Sequence, residues 1–212
     1  GAVMLLPGRS EFIEKHLETV RELLSRGFDV YALDHRGQGR SSRLLDSPHK
    51  GHIDTFETYV RDVHVFVDQV FDAEAHPRRV LLAHSMGGHI GLRYLHDHPD
   101  MFERAVFTAP MVAIKLPAAP LIRALAWLGP RIGLGEAYVP STGDYGSRAR
   151  RFAGNQLTSD SARFHGFHAQ IDADPELALG GPTLDWMAQA LESCRILQQP
   201  AYAAAIRTPV LV

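Results

Sequence analysis

The sequence predicts an α/β fold, a mostly parallel sheet flanked by helices. Three observations carry this. Short, largely apolar runs recur at Val3–Leu6, Phe28–Leu33, Val80–Ala83 and Ala105–Thr108, and Val3–Leu6 is apolar throughout, the pattern of a strand buried on both faces. Between them lie stretches with apolar residues at helical spacing, and strands alternating with helices of this length mean βαβ units. The runs lead into turns of small or polar residues, such as Pro7-Gly8-Arg9-Ser10, which is where a parallel sheet hands the chain to a helix.

Taken in order, the first strand is followed by a predicted helix over Glu11–Ser25, with Ile13, Leu17, Val20 and Leu24 on one face. Gly27 closes it as a left-handed stop. The second strand runs into a loop of small and polar residues, Asp34-His35-Arg36-Gly37-Gln38-Gly39-Arg40-Ser41-Ser42. Asp54 and Glu57 resemble a capping box for the next helix. Its apolar face holds Phe56, Tyr59, Val60, Val63, Phe66, Val67 and Val70. The third strand ends at Ser85, and a helix over Gly88–His96 follows, stopped by His98-Pro99.

After Met111 the rhythm changes. Residues 112 to about 200 show no clear strand, carry prolines at 117, 120, 130 and 140, and read as loops and short helices. Within them Thr183 is placed to cap a helix whose face is Leu184, Met187, Leu191 and Cys194. Thr208–Val212 returns to a strand-like run. The expected organisation is therefore a first part of the core over 1–111, a helical insertion over 112–200, and a return to the core over 201–212.

Composition bounds the function. With 212 residues the chain can bury one sizeable core, and 45% hydrophobic and 22% charged residues are ordinary for a globular domain. A net charge of −2 leaves no electrostatic footprint for nucleic acid. The lone Cys194 excludes an internal disulfide and fits a reducing compartment, so the expected location is the cytoplasm. No run of apolar residues is long enough to span a bilayer. The apolar start lacks a basic flank and breaks at Pro7-Gly8, so it reads as a strand rather than a signal peptide.

The chemistry centres on Val80-Leu81-Leu82-Ala83-His84-Ser85-Met86-Gly87-Gly88. A serine between a buried strand and a helix, with small neighbours, has the form of a nucleophile elbow. The usual pattern is G-x-S-x-G, and Ala83 replaces its first glycine. A plain serine capping a helix would account for an isolated match. Acyl transfer through a serine also needs two N–H donors aimed at the oxyanion. The residue after the nucleophile, Met86, supplies one, and Pro7-Gly8-Arg9 puts Arg9 in place for the other. A base-activated serine requires no metal or cofactor, and none is expected.

These residues, with Asp34-His35-Arg36-Gly37-Gln38-Gly39-Arg40-Ser41, Ala109-Pro110-Met111, Asn155-Gln156-Leu157-Thr158-Ser159-Asp160, and Gly180-Gly181-Pro182-Thr183 with Trp186, resemble an α/β-hydrolase of the monoacylglycerol lipase and bacterial lysophospholipase group. The resemblance covers nearly the whole chain. It implies a serine hydrolase with a helical cap over the site, Ser85 as nucleophile, Arg9 and Met86 as oxyanion donors, and a lipid-like carboxylic ester as substrate. It also implies a triad in the order serine, acid, histidine, the last two after strands that follow the cap. Here the chain departs from the pattern, because those positions are not present. His84 and His89 flank the serine too closely to serve as its base, and His165 and His168 precede the returning strand. The expectation is a fragment, cut at both ends, of a longer hydrolase. Two other readings stay open: an aminopeptidase of the same fold, which needs a carboxylate cluster in the cap that Glu136, Asp144 and Asp172 are too scattered to promise, and an inactive lipid-binding relative.

Two features of the insertion bear on substrate. Leu116, Leu121, Ile122, Leu125, Trp127, Leu128, Ile132 and Leu134 form an apolar, proline-broken segment. It suits an acyl chain or peripheral contact with the inner membrane, and equally the cap's own interior. Arg148, Arg150 and Arg151 would suit a lipid phosphate, although such clusters are more often solvated. Asp144, Asp172, Asp174 and Asp185 read as surface or helix-capping acids, and Cys194 as a buried helix position.

Overall fold

A computed structural model describes residues 1–212 apart from residues 72, 117, 147–149 and 156. The expected class is borne out. Five strands form one sheet in the order β2-β1-β3-β4-β5, and every pairing is parallel. They are β1 (Ala2–Leu6), β2 (Asp29–Ala32), β3 (Arg79–His84), β4 (Arg104–Thr108) and β5 (Val210–Leu211). The order reverses direction between β1 and β3, since the chain leaves β1 for one edge and returns to its other side. Ligands of open α/β sheets bind outside the carboxyl ends of strands at such a switch point. In this chain the switch point falls between the ends of β1 and β3, which lead into Pro7–Arg9 and Ser85.

The helices cover the sheet unequally. The helix expected at Glu11 starts later, as a 3₁₀ turn over Ile13–His16 that runs into α1 (Leu17–Ser25). Glu11 is excluded because its carboxylate turns inward to accept the Gly8 N–H. Leu17 and Leu24 stay exposed, because α1 packs on β2, an edge strand with only one neighbour. Helix α2 (Phe56–Gln69) buries Phe56, Tyr59, Val60, Val63 and Val67. Its cap differs from the expected capping box. Thr55 holds the N-cap position, and the Asp54 carboxylate accepts instead from the Thr55 N–H and the Thr58 hydroxyl.

Helix α3 (Met86–Asp97) is the central one. Ile90, Tyr94 and Leu95 are fully buried, each contributing roughly 1.5–3 kcal/mol by removal from water. Residues 112–200 hold α4 (Ala119–Leu128), α5 (Ser161–Ala173) and α6 (Leu184–Leu197), with short 3₁₀ turns, and α7 (Pro200–Ala205) leads back to β5. Thr183 caps α6 as expected, its hydroxyl accepting from the Trp186 N–H at 3.2 Å. Among the described residues no helix is long and apolar enough to cross a membrane.

Candidate active site

Ser85 sits between β3 and α3 with φ 51° and ψ −115°, a conformation that L-residues rarely adopt and that is kept where surrounding structure enforces it. The enforcement is visible. The Ser85 N–H donates to Thr108 O at 3.0 Å, while its carbonyl accepts from the His89 and Met111 N–H groups at 3.1 and 2.9 Å. The strand that precedes the serine, the helix that follows it and the end of β4 thus meet on one residue. Its neighbours are small for a spatial reason. A Cβ on Gly87 would lie 2.3 Å from Leu6 O and 2.4 Å from Pro7 O, and one on Gly88 would lie 2.9 Å from the Pro110 ring.

Gly87 therefore rests directly on the end of β1, which brings the Pro7–Ser10 turn beside the elbow. This turn is held by side chains. The Gly8 N–H donates to Glu11 Oε2 at 2.6 Å. Gln38 donates to the Gly8 carbonyl at 2.7 Å and accepts from the Ser10 N–H at 3.2 Å. His35 Nε2 lies 3.0 Å from Pro7 O. Burial lowers the His35 pKa to about 4, so the ring is neutral and its Nε2–H is the donor. The loop carrying His35 and Gln38 is in turn fixed by Asp34, which accepts from the Ile13 and Arg40 N–H groups, both at 2.9 Å. Gly39, at φ 53°, is required there, since a Cβ would fall 2.1 Å from that carboxylate. The two amides expected to face an oxyanion, Arg9 N–H and Met86 N–H, have no acceptor among the described residues.

Glu11 is a residue that periodicity misassigned to a helix. Burial alone would raise its pKa, but hydrogen bonds from His16, Lys15 and the Gly8 N–H, with the Lys15 charge, prevail and bring it down to about 2. The result is a buried anion under the turn. His84 Nε2 stands 3.7 Å from its Oε1, so the same carboxylate reaches the end of β3.

The histidines beside the serine are engaged elsewhere. His84 Nδ1 is 2.9 Å from Thr108 Oγ1. His89 is buried, with Nδ1 2.7 Å from Met111 O and Nε2 2.7 Å from Ser193 Oγ. Burial lowers its pKa to about 4, and it serves a network in which Arg93 also binds Ser193, Tyr202 and Glu57. His168 pairs with the Tyr145 hydroxyl at 2.6 Å. No group of three potential metal ligands occurs among the described residues. Burial pushes the Cys194 thiol up to about 11, so it is inert.

The insertion reaches the site through Gly180–Thr183. Gly180 N–H donates to His49 O at 2.8 Å and Thr183 N–H to Gly51 O at 2.9 Å, so this segment runs as a ribbon along the core loop. Arg9 touches it, with Nη2 2.9 Å from Gly180 O and the guanidinium 5.1 Å from the Trp186 ring centroid. The apolar segment divides. Ile122 is buried with Ala126, and Leu116 and Leu125 pack beside the core, whereas Leu121, Trp127, Leu128, Ile132 and Leu134 are exposed. Of the basic cluster, Arg148 lies outside the described residues and Arg150 pairs with Asp172. Asp144 accepts from the Tyr138 hydroxyl, and Asp174 accepts the Glu176 N–H and pairs with Arg40 at 2.8 Å. Gln156 of the Asn155–Asp160 motif is also outside the described residues; Asp160 caps α5 by accepting the Arg163 N–H at 3.0 Å.

Comparison with known proteins agrees with this fold. The chain is 37% identical to lysophospholipase L2 of Escherichia coli over 191 residues, 89% of the chain and 56% of that protein. It is 32% identical to the probable lysophospholipase L2 of Haemophilus influenzae over 210 residues, 99% of the chain and 65% of that protein. The chain thus spans just over half to just under two-thirds of the length of these relatives. In fold it is similar to the crystal structure of Paleococcus ferrophilus monoacylglycerol lipase, with a TM-score of 0.72 at 22% identity, covering 99% of the chain and 71% of that structure. A family model, Hydrolase_4, described as serine aminopeptidase, S33, matches residues 1–212, and the chain belongs to that family.

Proposed function

We propose that the protein carrying this chain is a serine hydrolase that cleaves a carboxylic ester of a lipid-like substrate, a lysophospholipid or a monoacylglycerol, through an acyl-enzyme. The observation that carries the reading is Ser85 held at positive φ between β3 and α3, with Gly87 packed against the carbonyls that lead into the Pro7–Arg9 turn. Ser85 is the nucleophile. Attack on the ester carbonyl forms a tetrahedral oxyanion, which the Arg9 and Met86 N–H groups receive, each worth about 3 kcal/mol in the transition state. Collapse expels the alcohol and leaves the acyl group on Ser85 Oγ, and water then releases the acid. The base is assigned neither to His84 nor to His89, both engaged elsewhere. Residues 112–200 act as the cap, and the relatives' printed activities support the lipid-like substrate.

The family's description favours one competitor, an aminopeptidase. The cap acids speak against it, because Asp144, Asp172 and Asp174 are each committed to a different partner. Turnover of a medium-chain monoacylglycerol and of a proline anilide by the whole protein separates the two. Ester cleavage at least tenfold faster is expected, and anilide cleavage without ester cleavage would overturn the proposal.

The exposed Trp127, Leu128 and Ile132, flanked by Arg123 and Arg131 beside a groove of about 700 Å³, support peripheral contact of the cap with the inner membrane from the cytoplasm. Trp127→Ser is expected to weaken co-sedimentation with anionic vesicles several-fold. Binding equal to wild type would remove this part of the reading.

A further inference from the structure

Arg9 holds a buried cation for which the fold provides no anion. The guanidinium donates two hydrogen bonds, Nη2 to Gly180 O at 2.9 Å and Nη1 to Ser10 Oγ at 3.2 Å, and stands 5.1 Å from the Trp186 ring centroid. Its Nε is sealed from solvent and donates to nothing, although the residue as a whole is half-buried. Among the described residues no carboxylate lies within ion-pair distance of it, whereas Arg36, Arg40, Arg93, Arg150, Arg163 and Arg195 all have one. The nearby Tyr59 and Tyr138 are pushed up to about 12, in each case chiefly by burial, and are neutral. Glu11 is already taken by the Gly8 N–H, Lys15 and His16.

Burying a charge without a partner is costly and is seldom kept unless something completes it. Burial lowers the Arg9 pKa only to about 10, so the group remains charged at neutral pH. Room has been made for it, since a Cβ on Gly51 would lie 2.2 Å from Nη2. The same residue offers its main-chain N–H at the oxyanion position. A substrate whose ester carbonyl is received at that amide would lie within one residue's reach of the Arg9 side chain. In a lysophospholipid a phosphate lies a few bonds from the ester, and guanidinium recognises phosphate through paired hydrogen bonds. In a monoacylglycerol that position carries a neutral hydroxyl.

We propose that the Arg9 side chain seats the phosphate of the substrate headgroup, making lysophospholipid the preferred ester. This rests on the ester-hydrolase reading above. The two contacts to Gly180 and Ser10 would then hold the guanidinium ready, and the second N–H of each Nη would turn to the phosphate oxygens.

The test compares kcat/KM for a lysophospholipid and a monoacylglycerol of the same acyl chain, using the whole protein and its Arg9→Gln and Arg9→Lys variants. Wild type is expected to prefer the lysophospholipid. Arg9→Gln should lower kcat/KM for that substrate by roughly 10–100-fold, mainly through KM, as loss of a charge-assisted pair implies. The fall for monoacylglycerol should be several-fold smaller, and Arg9→Lys should restore part of the preference. Equal falls for both substrates would overturn the proposal and leave Arg9 a latch between turn and cap. Glycerol phosphate should compete with substrate in wild type and not in Arg9→Gln. Inorganic phosphate competing equally well would overturn the headgroup assignment in favour of a free-phosphate site. If wild type cleaves neither ester, the ester-hydrolase reading falls. In that case calorimetric binding of glycerol phosphate, present in wild type and lost in Arg9→Gln, still upholds the anion seat, and its absence from wild type overturns it.

Discussion

Ser85→Ala is expected to abolish labelling of the whole protein by a fluorophosphonate probe and to lower ester turnover by about 10³-fold or more. The expectation follows from what Ser85 does in the fold. Its main chain already satisfies β4 and α3, through Thr108, His89 and Met111, and its side chain makes no capping bond. Alanine tolerates φ 51° about as poorly as serine does, so the strain is common to both and the melting temperature should barely change. Because the hydroxyl makes no capping bond, its removal should leave the fold intact, so that lost turnover would report on the proposed chemistry. Wild-type labelling of the alanine variant would refute its role as nucleophile.

The strands and the elbow were legible in the sequence because their determinants are local. Val80–Ala83 is apolar on both faces, and Gly87 and Gly88 announce a close approach by their lack of side chains. Pro7-Gly8-Arg9 could be placed by its position after the first strand, and the space under Gly87 shows how the turn is fixed beside it: Gly87 rests on the carbonyls of Leu6, at the end of β1, and of Pro7. Thr183 was legible for the same local reason, since a cap and its amide are three residues apart.

What escaped the sequence depends on distant partners. Glu11 looks like the first residue of an amphipathic helix, and nothing local says that it turns inward. Its bond to Gly8 is local, three residues back, but its approach to His84 at the end of β3 exists only once β1 and β3 are paired. His35 and Gln38 read as loop residues until the loop folds back over Pro7 and Gly8. The apolar stretch near Trp127 shows the opposite limit. Its composition is the same whether it lies inside or outside, and the contact of α4 with α6 decides that Ile122 and Ala126 go in while Leu121 and Trp127 stay out.

The second large effect is expected from Gly87→Ala, which should lower stability by about 3 kcal/mol or more. The added methyl would meet two main-chain carbonyls, Leu6 O at 2.3 Å and Pro7 O at 2.4 Å. Neither is the free end of a side chain, and both belong to the residues that lead into the oxyanion turn, so β1 and α3 must separate. A displacement of about 1 Å between nucleophile and donors costs on the order of 100-fold in rate. Loss of stability and loss of turnover should therefore appear together, with a melting temperature lower by roughly 6–12 °C. Gly91→Ala in the same helix is the control. Its methyl would meet only side-chain carbons, Leu81 Cδ2 at 3.0 Å and Phe107 Cε1 at 3.1 Å, which can yield by small rotamer shifts. It should lose stability with little loss of labelling at Ser85. If Gly87→Ala instead melts and labels as wild type does, the contact between the elbow and β1 is looser than its geometry requires, and the Pro7–Arg9 turn is not held in place by Gly87.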